Sequence, residues 1–253
     1  VARNLKMVDF LFGFVCVFWA ISSDGKDWPT YRHDISRSGV TQERLRAEAL
    51  AEQWTWQSTL RPQPAWAGPA RWDAYHDIKR LRSMREYDAV FHPIVSGRSV
   101  YFASSSDDSV RCLEMSTGEE NWIYTAGGPL RMAPTFWKGR IYVGADDGYA
   151  TCLQAGNGEE IWRFRPSEAE HKVVSNGKAL SLSPCRTGVL VDGGVAVFAM
   201  GMLPWKASFL CAVDAKTGTA EGEGLFVRSF PGLTFEGAMA ASKDMIVCPQ
   251  GRV

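Results

Sequence analysis

The chain is poor in what catalytic cores need. It has only four histidines, His33, His76, His92 and His171, and no two carry metal-ligand spacing such as HExxH. A GxSxG nucleophile elbow, a Walker loop, a dinucleotide-binding glycine fingerprint and a CxxCH haem attachment are all missing. The six cysteines include no adjacent pair and no CxxC, which excludes a redox motif of that kind. Charge of one sign is also lacking: 28 basic side chains balance 28 acidic ones, so no nucleic-acid partner is expected. The one basic cluster, Lys79, Arg80, Arg82 and Arg85, reads as a solvated connector. No apolar run reaches the roughly 18 residues of a membrane span. The longest, Phe10 to Ile21, follows Arg3 and Lys6 and precedes small residues, the layout of an export signal occupying residues 1–22. A secreted or periplasmic protein with no membrane span after cleavage is the expectation.

What is present is a repeat. Cys112 to Trp122 (CLEMSTGEENW) is answered by Cys152 to Trp162 (CLQAGNGEEIW), an offset of 40 that pairs Gly118 with Gly158 and Trp122 with Trp162. A period of that length marks a stack of similar units. Each unit alternates short β-branched and aromatic runs with turn residues. The first predicts strands near 92–96, 99–104, 109–114 and 120–125; the second, near 132–137, 140–145, 149–153 and 160–164. Turns fall at Asp107-Asp108-Ser109, Asp146-Asp147-Gly148, Thr117-Gly118 and Asn157-Gly158, with no 3.6-residue helical period. A looser third unit carries Ala212 to Gly218 at an offset of 60, with Gly222 where the tryptophan stands in the others. A fourth begins at Gly237.

This pattern of small, apolar and acidic residues leading to Thr/Asn-Gly and then Trp resembles the tryptophan-docking repeat of pyrroloquinoline-quinone-type (PQQ-like) β-propellers. The resemblance is tight over 92–164 and looser to 253. It implies an all-β fold of four-stranded blades, in which Trp122 and Trp162 pack between neighbouring blades beside the glycine turns Gly118, Gly158 and Gly218. Gly222 then marks a weaker seam. The runs Asp27 to Asp34, Gly128 to Pro134 and Arg186 to Asp192 are similar to those of large secreted bacterial propellers of this type. At about 40 residues per blade, 92–253 gives about three and a half blades, against four to eight in closed rings, so an incomplete propeller is expected.

Residues 23–91 carry no repeat. Thr41 to Ala51 has the composition of a short helix, and Gln53 to Gln57 alternates like a strand of the kind that completes a last blade. Two irregular insertions, Arg61 to Asp88 and His171 to Arg186, are candidates to cover one mouth of the ring. Arg131 and Arg186, with His92 nearby, are expected either to line an axial channel as an anion-binding rim or to bridge carboxylates and carbonyls between blades. The acidic pairs Asp107-Asp108 and Asp146-Asp147 suit turns or a calcium site. Cys112 and Cys152 occupy equivalent strand positions that suit core packing or a disulfide. No cofactor is expected from the residues, although the resemblance implies PQQ with calcium as an alternative; the alcohol-oxidising branch of the family uses two adjacent cysteines that this chain lacks. The sequence therefore points to an exported, non-catalytic binding or scaffolding module for a protein or small-molecule ligand. The alternatives are a fragment of a quinoprotein oxidoreductase and a cell-envelope assembly module.

Overall fold

The computed structural model describes residues 26–44, 48, 50–60, 91–166, 171–175, 178–201, 203 and 205–250. The expected signal at 1–22 and the insertion at 61–88 lie outside the described residues. Among the described residues the fold is all-β, with no α-helix.

The first blade is β1 (Ile94–Ser96), β2 (Ser99–Ser104), β3 (Ser109–Glu114) and β4 (Glu120–Thr125), paired antiparallel in chain order. The second repeats this order with β5 (Thr135–Trp137), β6 (Arg140–Gly144), β7 (Ala150–Gln154) and β8 (Glu160–Phe164). The inserted hairpin β9 (Lys172–Ser175) and β10 (Lys178–Ser181) precedes the third blade, β11 (Leu190–Asp192), β12 (Val195–Met200), β13 (Ala207–Asp214) and β14 (Phe226–Pro231). A two-stranded sheet of β15 (Ala240–Ser242) and β16 (Met245–Val247) follows. Expected and observed strands differ by up to three residues, chiefly at the starts of β1 and β5.

Each blade shows the same gradient of burial. The second strands have both faces covered: β6 is buried from Ile141 through Gly144 and β12 from Ala196 through Met200. That is why they read as unbroken apolar runs rather than alternating ones. The fourth strands face solvent, and in β4 and β8 the fully buried residue is the tryptophan. β5 lies against β1 on one side and β11 on the other, so the first strands line up as the inner edge. Blades one and two even share a register shift, between Cys112 and Leu113 and between Cys152 and Leu153, opposite the strand that carries the tryptophan. The third blade has continuous pairing there, and residues 219–225 intervene between Gly218 and β14 where a single residue does in the first two.

The N-terminal stretch from Asp27 to Arg37 runs along this inner edge. Trp28 exchanges two backbone hydrogen bonds with Val95 at 2.8 and 3.0 Å, and Phe136 N donates to Pro29 O at 2.7 Å. Thr30 Oγ1 meets Thr135 Oγ1 at 3.0 Å, Ala241 N donates to Ile35 O at 2.7 Å, and Arg37 Nε donates to Met239 O at 2.7 Å. One short segment thus touches β1, β5 and β15 and their approaches. Thr41–Arg44 is irregular rather than helical.

Candidate functional site

The seams between blades are built from one unit used three times. Trp122 Nε1 donates to Ala155 O at 2.9 Å and Trp162 Nε1 to Ala215 O at 3.1 Å, each reaching the last turn of the next blade. Trp54, on the stretch 53–57, makes the same bond to Met115 O at 2.9 Å. Each indole covers a glycine: a Cβ on Gly118, Gly158 or Gly218 would lie 2.6 Å from the ring of Trp54, Trp122 or Trp162. These glycines also sit at φ of +73° to +74°, so both the turn and the close ring demand glycine. Tyr101 Oη and Tyr142 Oη donate to the same carbonyls as the neighbouring tryptophans, at 3.3 and 2.9 Å.

A second ring follows each tryptophan by two residues, on the same face of the strand. Trp56 packs on Phe102 at 4.7 Å between centroids, Phe164 on Phe198 at 5.8 Å, and Tyr124 Oη donates to Glu160 at 2.9 Å. Gln53 to Gln57 is therefore a docking segment against the first blade; it alternates half-buried Trp54 and Trp56 with exposed neighbours but joins no sheet among the described residues. The signal that identifies this unit is aromatic-x-aromatic: Trp54-Thr55-Trp56, Trp122-Ile123-Tyr124 and Trp162-Arg163-Phe164. In the third blade the sequence offset falls on Gly222, but in register Phe226 pairs with Ala212 where Trp122 and Trp162 pair with Cys112 and Cys152, and Val197 stands where Tyr101 and Tyr142 do. Both donors of the docking unit are lost together.

At the mouth bearing the turns after β2 and β6, the structure brings Arg131 and Arg186 onto one carboxylate. Arg131 Nε donates to Asp146 Oδ2 at 2.7 Å; Arg186 donates through Nε to Oδ1 and through Nη2 to Oδ2, both at 2.8 Å. Asp146 and Arg186 are 0% and 2% exposed, and Arg186 also faces Glu236 at 3.6 Å. His92 is not part of this clamp. It stands edge-on to Tyr31 at 5.2 Å, its pKa lowered by burial, and shares only a narrow cleft with Arg131. The other turn acids are engaged as well. Asp107 pairs with Arg111, and Asp108 with Lys178 of the inserted hairpin. Asp147 accepts from Gly127 N and Tyr149 N, at 3.1 and 3.0 Å, while burial raises its pKa. Among the described residues no three His, Cys, Asp or Glu side chains lie close enough to share a metal ion. The five described cysteines are free thiols; burial pushes Cys152 to about 11 and Cys211 to about 12.

Residues 49–225 match the family described as outer membrane protein assembly factor BamB. The chain belongs to that family. It is also 26% identical over 167 residues to the quinohemoprotein alcohol dehydrogenase of Comamonas testosteroni, a stretch that is 62% of this chain and 22% of that enzyme. The crystal structure of that enzyme superposes with a TM-score of 0.53 at 20% identity, covering 76% of this chain and 26% of the enzyme, which shows the propeller fold. BamB from Moraxella catarrhalis aligns at 13% identity with a TM-score of 0.42, over 61% of this chain and 44% of its own. This chain thus spans about a quarter of the quinoprotein it matches. Both oxygens of Asp146 are held by arginines, so this carboxylate is not open to a calcium ion, and no two cysteines of the sequence are adjacent.

Proposed function

We propose that this chain is an exported propeller module that binds and scaffolds other molecules without catalysing a reaction. The observation that carries the reading is the clamp on Asp146. The buried Asp146 carboxylate is neutralised by two guanidinium groups from before β5 and before β11, so its charge ties blades together instead of facing a substrate. Around that mouth the inserted hairpin and the turn before β13 present Val174 and Trp205 at 81% and 72% exposure, which favours a protein partner there. Recruitment of proteins in the cell envelope agrees with the family description. Photo-crosslinkers placed at Val174 and Trp205 in fractionated cells test this. One recurring protein, trapped outside the cytoplasm, is the expected result, and crosslinks that merely follow protein abundance would overturn it.

The match to a quinohemoprotein alcohol dehydrogenase favours a second reading, part of a quinoprotein oxidoreductase. On that reading the cofactor-binding residues lie outside those described.

A further inference from the structure

The face opposite the Asp146 mouth carries a cavity of about 540 Å³ between the second and third blades. One wall is Trp137, which ends β5, and Lys138 in the turn that follows; the other is the Gly193-Gly194 turn between β11 and β12. Asp214 ends β13, Lys216 lies in the turn after it, and Glu223 and Leu225 come from residues 219–225. That last segment is the lengthened connection into β14, whose first residue, Phe226, takes the docking tryptophan's place in register. The longer path to β14 puts the Glu223 carboxylate beside this seam.

We infer that this cavity is a binding site for a neutral saccharide. Its volume lies within the roughly 300–1,000 Å³ of small-molecule sites. The half-buried indole of Trp137 offers an apolar plane with a polar edge, the surface on which the C–H face of a pyranose ring stacks. Gly193 leaves the opposite wall open, since nothing lies within 4 Å of where its Cβ would be. The four charged groups around the cavity, Lys138, Lys216, Asp214 and Glu223, sum to zero, which selects a neutral ligand over an ion. Their hydrogen-bonding capacity is largely unspent. Asp214 Oδ1 accepts from Lys216 N, Thr217 N and Thr217 Oγ1 at 2.9, 2.8 and 3.1 Å, whereas its Oδ2 has no hydrogen bond among the described residues. Glu223 and Lys216 enter no side-chain hydrogen bond or ion pair among them, and the Lys138 ammonium rests only on the Trp137 ring, 4.7 Å from its centroid. Lys138 is exposed, so it can swing off the indole to donate to a hydroxyl as a sugar takes its place. A carboxylate-and-ammonium lining with one aromatic plane matches a ring of hydroxyls that donate and accept in turn. The site is independent of any partner at the opposite mouth.

The test is saturation-transfer NMR on the purified chain with maltose, cellobiose and dextran as probes, repeated with Trp137→Ala and Glu223→Ala. Saturable transfer to pyranose protons is expected, weakened at least about tenfold in both variants. Transfer to the disaccharides assigns the site to free sugars, and transfer to dextran alone assigns it to a polysaccharide chain. Glu223 is exposed on a connecting segment, so Glu223→Ala decides the matter if Trp137→Ala lowers the melting temperature. No saturable transfer with any probe, or transfer undiminished in Glu223→Ala, overturns the inference.

Discussion

Replacing Trp122 with alanine probes the seam between the first two blades. The indole is 8% exposed and is wedged over Gly158. Burying an aromatic side chain of roughly 200 Å² contributes about 5 kcal/mol at 25 cal/mol/Å², an upper figure because the unfolded chain is already partly compact. Its hydrogen bond to Ala155 O adds about 1 kcal/mol. That carbonyl keeps a donor in the variant, because Tyr101 Oη also reaches it at 3.3 Å, so no orphaned acceptor adds to the loss. The expected destabilisation is therefore about 3–5 kcal/mol, the range for truncating a large buried aromatic. Urea denaturation gives the total, and amide hydrogen exchange locates it: faster exchange should centre on residues 152–160 and spare β12 and β13. Trp122→Ala combined with Tyr101→Phe should cost more than the sum of the two, since together they strip the carbonyl of both donors. A loss under about 1 kcal/mol, with exchange unchanged at 152–160, would refute the docking argument.

The other seams and clusters give further tests. Gly158→Ala places a Cβ 2.6 Å from the Trp122 ring at φ +74° and should destabilise by about 1–3 kcal/mol, measured by thermal melting. Asp146→Ala leaves two guanidinium groups beside an empty, buried position and should cost about 3–5 kcal/mol, whereas Asp108→Ala, at a half-exposed pair, should cost no more than about 1 kcal/mol. Burial raises the pKa of Asp107, but hydrogen bonds from Arg111, Ser104 and Ser109 outweigh it and hold the carboxyl below its ordinary 3.8; Asp214 is lowered chiefly by the Thr217 amide. Both therefore stabilise the fold above about pH 4, a contribution lost as pH falls through their folded values, and Asp107→Asn should flatten that acid limb in pH-dependent melting. Of the five described thiols, Cys248 alone is partly exposed, so brief alkylation of native protein at pH 8 should label it and spare Cys112, Cys152, Cys185 and Cys211, as peptide mass mapping would show.

The blades were legible because a repeat states the same physics several times. Gly118 and Gly158 recur at a fixed distance from Trp122 and Trp162, so the turns and strands between them follow with small error. Trp54 and Trp56 dock in the same way, yet no copy of the rest of the repeat accompanies them, so the segment read only as an alternating strand. The second docking ring was visible as aromatic-x-aromatic but overshadowed by the more constant tryptophan. Arg131 and Arg186 were legible as residues near the inner mouth, and Asp146 as a turn acid. That all three meet is a long-range contact, with Asp146 and Arg186 separated by 40 positions, and no local pattern encodes it. The same holds for the run from Trp28 to Arg37, whose hydrogen bonds reach residues as far away as Met239.

A titration of the purified chain with PQQ and calcium, followed by the absorbance of the quinone, tests the central claim most directly. With Asp146 held by two arginines and no adjacent cysteines, the account predicts no saturable spectral change and no dye-linked oxidation of alcohols. A stoichiometric complex that oxidises an alcohol would contradict it and place the chain among the quinoprotein oxidoreductases.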